Sequence, residues 1–181
     1  MIDAKLHVVA LAVLVLVTGG VHATQNRKPS VWREVSSKDG SFSVLLPHND
    51  QGPEYLGTEM HLGPQATKIT GHRVAGYEGD VVYRIDYFDL PPAEYKAYLE
   101  DACEQTVTKS EGRLTCKTLS LNGYPGMESR TTSNGEFGFL RYYFVKQRLY
   151  VVAVTRLKAG DVPKNLDEFL DSFKLIRNWS Q

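Results

Sequence analysis

The sequence predicts an α+β domain, a mainly antiparallel sheet of about seven to eight strands flanked by two helices. Three observations carry that expectation. From Trp32 onward apolar and polar residues alternate over much of the chain, which is the period of half-buried strands. Most of these runs are joined by short turn-forming stretches, so sequence neighbours pair antiparallel. Two stretches switch to helical spacing, one in mid-chain and one near the end.

Taken in order, residues 24–30 are polar and read as a loose leader to a single domain over 31–177. Phe42, Val44 and Leu46 alternate with Ser41, Ser43 and Leu45, between a turn at Asp39-Gly40 and a stop at Pro47. Residues 48–57 are turn-rich. Strands are expected near 58–62 and 66–76, meeting across Gly63-Pro64. Val81 to Phe88 is a further run, with Val81, Tyr83, Ile85 and Tyr87 on one face. After Pro91-Pro92 the residues Tyr95, Leu99, Ala102, Cys103 and Thr106 recur at helical spacing, with Asp89 as N-cap and Gly112 as the stop. A meander follows over 114–121, 127–132, 137–146 and 149–157. Its second connection, Asn134-Gly135, is the strongest hairpin signal in the chain, and the last pair joins at Gln147-Arg148. A closing helix is expected from about Pro163, capped by Asp161, with Leu166, Phe169, Leu170 and Phe173 as its apolar stripe.

The start of the chain carries a targeting pattern. A short head with one lysine, Lys5, precedes an apolar run from Leu6 to Val17. Thr18-Gly19-Gly20 breaks that run, and Val21-His22-Ala23 offers small residues at the positions a signal peptidase reads. The run is shorter than the roughly 20 residues that cross a hydrocarbon core. Residues 1–23 are therefore expected to be a cleaved signal peptide, the alternative being an uncleaved anchor. The expected location is periplasmic or extracellular, with no transmembrane segment after cleavage.

Composition narrows the partners. Lys and Arg total 21 against 21 Asp and Glu, so the formal charge is zero. That balance speaks against nucleic acid and anionic membranes, both of which draw on a basic excess. The only two cysteines, Cys103 and Cys116, form an even count in an oxidising compartment, and a disulfide between them is expected. Closing that loop would stabilise the fold by about 3 kcal/mol. Their spacing matches neither C-x-x-C redox chemistry nor a zinc knuckle.

Several segments resemble a known group. Trp32 to Pro47, with Asp39-Gly40-Ser41-Phe42 at its centre, is one; Tyr87-Phe88-Asp89-Leu90-Pro91 is another. The turn Gly123-Tyr124-Pro125-Gly126 and the ending Phe169-Leu170-Asp171-Ser172-Phe173 complete the set. In these the chain resembles small exported bacterial proteins of the PsbP-like type, over about residues 31–177. The resemblance implies a sandwich of a broad antiparallel sheet with helices, and binding or assembly work without catalysis. It transfers no catalytic residue, because the group shares no such motif.

The residues themselves nominate little chemistry. His48, His61 and His72 form no H-E-x-x-H or H-x-H pattern, so no metal or other cofactor is expected. His61 and His72 lie on neighbouring candidate strands and would need the right register to meet. There is no G-x-S-x-G elbow and no phosphate-cradling glycine loop. The carboxylates Asp80, Asp86, Asp89, Glu94, Glu100, Asp101 and Glu104 sit in no context that suggests a raised pKa. Aromatic residues are plentiful, with 10 tyrosines. In Arg141-Tyr142-Tyr143-Phe144 neighbours must point to opposite faces, and Arg141, Tyr142 and Tyr143 are the candidate protein-contact surface. The expected function is an exported, non-enzymatic binding or assembly module acting on another extracytoplasmic protein. The alternative is a small-ligand- or metal-binding protein or enzyme, with its pocket between the central helix and the sheet.

Overall fold

The computed structural model describes residues 30–50, 52–62, 67–91, 113–133, 136–156 and 158–176. Their strands are β1 (Val31–Ser37), β2 (Phe42–His48), β3 (Glu54–Leu62), β4 (Thr67–Glu78) and β5 (Val81–Asp89). They continue as β6 (Arg113–Leu121), β7 (Tyr124–Ser133), β8 (Glu136–Val145), β9 (Arg148–Arg156) and β10 (Lys174–Leu175). One helix, α1 (Leu166–Ser172), precedes β10.

This corrects the fold class. Among the described residues the protein is mainly β and sandwich-like, with one helix of seven residues, rather than an α+β fold flanked by two helices. Two physical causes stand out. Strand structure extends into segments that read as turns: β3 begins at Glu54, and β7 begins at Tyr124. The closing helix is also shorter than its apolar stripe suggests. The stretch from Asp161 to Pro163 is not helical, the N-cap is Asn165 without a side-chain cap bond, and Phe173 already turns extended at ψ 124°. The expected mid-chain helix over 91–109 and the Asn134-Gly135 hairpin fall outside the described residues.

The strands form two sheets. The larger has seven strands in the order β3-β4-β5-β9-β8-β7-β6, and every neighbouring pair in it is antiparallel. It consists of two meanders, β3 to β5 and β6 to β9, fused where β5 pairs with β9. The smaller sheet has the order β1-β2-β10. Tight turns set the registers. Asn122 and Gly123 both take positive φ, 52° and 84°, between β6 and β7, the geometry of a two-residue hairpin whose twist matches the strands. The β8–β9 turn sits at Lys146-Gln147, one residue before the expected position, with Lys146 at φ 56°.

The small sheet and α1 cover one face of the large sheet. Phe42, Val44 and Leu46 of β2 meet Leu166, Phe169, Leu170 and Phe173, and both meet Tyr83, Ile85, Tyr87, Tyr150, Val152 and Val154. The expected stripes of β2, β5 and the closing helix all lie in this core. β2 crosses so near to β4 that a Cβ on Gly76 would stand 2.5 Å from the Pro47 carbonyl oxygen. Phe42 lies at the centre. Its ring meets Tyr87, Tyr150 and Phe173 at centroid distances of 5.8, 6.2 and 5.6 Å. A second apolar cluster, with Phe88, Phe144, Leu149 and Ala153, occupies the opposite face.

Phe42→Ala removes a ring that touches both sheets and the helix. It should cost about 3–5 kcal/mol of stability, read from the urea midpoint against wild type.

Candidate functional site

The residues nominated as a contact surface are engaged inside the protein. Tyr143 is buried and stacks on Phe173 at 5.6 Å with ring planes 2° apart. Tyr142 points to the other face, packs partly buried against the second apolar cluster, and has its hydroxyl pKa pushed up to about 12 by burial. Arg141 is only 13% exposed at its side chain; it donates to Glu128 at 2.7 Å and to Asp171 of α1 at 2.6 Å. The alternation of faces holds, but neither face of this segment is free. Within the chain, Arg141 is bound to α1, Tyr143 lies in the first core and Tyr142 packs partly buried against the second.

Arg141 belongs to a clamp. The Glu128 carboxylate also accepts from Arg130 at 2.7 Å, and Arg130 reaches Asp167 of α1 at 3.3 Å. Two arginines on β7 and β8 thus hold one buried glutamate and both exposed aspartates of the helix. Burial pushes the Glu128 carboxyl up, but hydrogen bonds from Arg130 and Arg141 outweigh it and hold the pKa below the ordinary value.

A second charged cluster lies on the opposite face. Arg73 donates to both carboxylate oxygens of Asp86, at 2.6 and 2.9 Å. Arg84 reaches Asp86 at 3.2 Å and the Thr155 hydroxyl at 3.0 Å. The forked geometry and the buried setting make this a strong pair. Sequence reading misses it because Asp86 pairs across strands with Arg73, a partner that only register reveals. Its chemistry is that of a satisfied structural ion cluster.

The remaining candidates disperse. In the β3–β4 register His72 stands opposite Gly57 and His61 opposite Lys68, so the two histidines do not face each other. His72 stacks on Tyr87 at 5.1 Å instead. No group of three metal-ligating side chains occurs among the described residues. Asp89, expected as a helix cap, accepts two bonds from Arg148, at 2.6 and 2.9 Å. The pocket expected between the central helix and the sheet involves residues 92–109, outside the described residues. Cys103 lies outside them too; Cys116 lies on β6 opposite Ser129, and no described cysteine is a free thiol. Among the described residues no helix is long and apolar enough to cross a membrane.

An edge stays unoccupied among the described residues. Among the described residues β3 pairs with β4 alone, so one row of its backbone N–H and C=O groups has no strand beside it. Tyr55 and Leu56, on opposite faces of β3, are 61% and 47% exposed, among the most exposed large apolar side chains in the structure. The nine residues of β3 contain no proline and no lysine, the usual protections of an edge. Both of its acids are already partnered on β4: Glu54 accepts from the Tyr77 hydroxyl at 2.7 Å, and Glu59 pairs with Lys68 at 2.6 Å. The far edge is different. β6 carries the exposed Lys117 in its middle, with Thr115, Thr118 and Ser120 also exposed. No family model matches the chain, and no curated protein matches it.

Two outcomes test this electrostatic layout. Asp86→Asn leaves the buried Arg84 and the partly buried Arg73 without their counter-charge, and should lower stability by about 3 kcal/mol or more in urea denaturation. Because the folded-state pKa of Glu128 lies below its unfolded value of about 4.5, its carboxylate adds stability above that pH, and this is lost as pH falls through the folded value. Glu128→Gln should therefore flatten the acid-side decline of the melting temperature.

Proposed function

We propose that the protein is an exported, non-enzymatic binding or assembly module that acts on another extracytoplasmic protein by strand addition at β3. The edge of β3, open among the described residues, with exposed Tyr55 and Leu56 and with Glu54 hydrogen-bonded and Glu59 ion-paired on β4, carries this reading. An extended partner segment would bond to the open backbone row, while Tyr55 and Leu56 contact its alternate side chains. Export is supported by the apolar run of residues 6–17 and the Ala23 site, and would allow Cys103 to pair with Cys116. The resemblance of Trp32 to Pro47 and Phe169 to Phe173 to PsbP-like exported proteins points to the same class of work.

The partner test places a photo-reactive phenylalanine analogue at Tyr55 in tagged protein expressed in its native host. One reproducible extracytoplasmic protein should crosslink, and Leu56→Lys should abolish the crosslink without changing the melting temperature. A crosslink that survives Leu56→Lys, or that forms equally from β6, would overturn the assignment to β3. The disulfide has its own measurement. Protein purified after export should take up no maleimide until it is reduced, and reduction should remove about 3 kcal/mol of stability. Alkylation of both cysteines without reductant would sink the pairing.

A further inference from the structure

We infer that β3 also pairs with β3 of a second copy of this chain, making a twofold dimer in which the large sheet runs on through the interface. The inference rests on the reading of β3 as an open edge and adds a second occupant for it. A twofold axis perpendicular to the sheet maps each face onto itself, so paired residues must share a face. The register that uses all nine residues of β3 centres on Thr58. It sets Tyr55 opposite His61, Leu56 opposite Met60, Gly57 opposite Glu59, Glu54 opposite Leu62, and Thr58 opposite itself.

The pairings over residues 55–61 are compatible with what the structure shows. No like charges stand opposite one another, and like charges directly opposite destabilise a ladder. Moving the axis one residue on would place Glu59 against Glu59. Glu59 meets instead a glycine whose Cβ position has no atom within 4 Å. Met60 is buried beside Ile69 in the second apolar cluster, so Leu56 of the other copy would extend that cluster across the axis. Tyr55 and His61 form an aromatic pair on the other face. The far edge cannot do the same. An antiparallel self-pairing centred on β6 would bring Lys117 against Lys117. Self-pairing at β3 alone closes as a dimer and leaves no open-ended filament. Dimer and partner would then compete for one edge.

The decisive residue is Thr58, half-buried and alone on the axis. Exported protein, with its N-terminus verified by mass, is followed by sedimentation velocity over a range of concentrations. Wild type should show a monomer–dimer equilibrium. T58K and T58E should each weaken self-association by at least about tenfold, because like charges then meet on the axis. An equimolar mixture of T58K and T58E should associate again as a heterodimer. Melting curves of both variants should match wild type, which separates a lost interface from a lost fold. A monomer at every concentration, a T58K dimer as strong as wild type, or a mixture that stays monomeric would each overturn the dimer. Those results leave strand addition to a partner standing or falling on the Tyr55 crosslink alone.

Discussion

The packing of Phe42 against Tyr87, Tyr150 and Phe173 is the contact on which the rest of the architecture depends. The four rings come from the small sheet, two strands of the large sheet and the end of α1. Edge-to-face and tilted contacts of this kind contribute beyond the area they bury. The Tyr150 hydroxyl reaches out of the cluster to the Gly40 carbonyl at 2.7 Å, and Gly40 N–H donates to Ser37 Oγ at 2.9 Å. The turn between β1 and β2 is thereby anchored to β9. A Cβ at Gly40 would run into the Phe42 ring, so the turn and the cluster require each other.

Around that centre the polar groups are placed to fix orientation. Leu45 N–H donates to the Ser172 hydroxyl at 2.9 Å, and that hydroxyl donates to the Phe169 carbonyl at 2.7 Å, so the last turn of α1 is tied to β2. Arg130 and Arg141 hold the other side of the same helix. A seven-residue helix has little stability of its own. Here it is held by a buried stripe beneath and charge contacts at its flank. On the opposite face Arg73, Arg84 and Asp86 lock β4, β5 and β9 in register through side chains that reach across strands.

Much of the strand pattern is legible in the sequence because alternation survives wherever one face is buried. Phe42, Val44 and Leu46 on β2, and Val81, Tyr83, Ile85 and Tyr87 on β5, read as core from their spacing alone and lie in it. The meander from β6 to β9 is likewise visible through its turn residues. The fold class misleads because Asp161 and Pro163 look like a helix start while the helix begins only at Leu166. What surrounds Arg141-Tyr142-Tyr143 is a different matter. Sequence alternation tells which residues share a face, and says nothing about what lies over that face. Arg141 is bound by Asp171 of α1 and Tyr143 stacks on Phe173 just beyond it, contacts between positions distant in the chain. Conversely, β3 reads partly as loop, since Gly52, Pro53 and Gly57 obscure its period, and so Tyr55 and Leu56 do not stand out in the sequence.

The two-residue strand β10 completes the small sheet by pairing Lys174 with Ser43 and Leu175 with Phe42. Ile176 N–H then bonds the Ser41 carbonyl at 2.9 Å. Residues 174–176 therefore complete an element that starts at Val31. Contacts of such long separation form late, after the intervening loop entropy has been overcome. A chain emerging from its N-terminus can assemble its meanders but cannot close its aromatic centre until Phe173 arrives. Closure of that centre therefore waits on residues 166–176, and the segment from Val31 onward is not locked before they emerge.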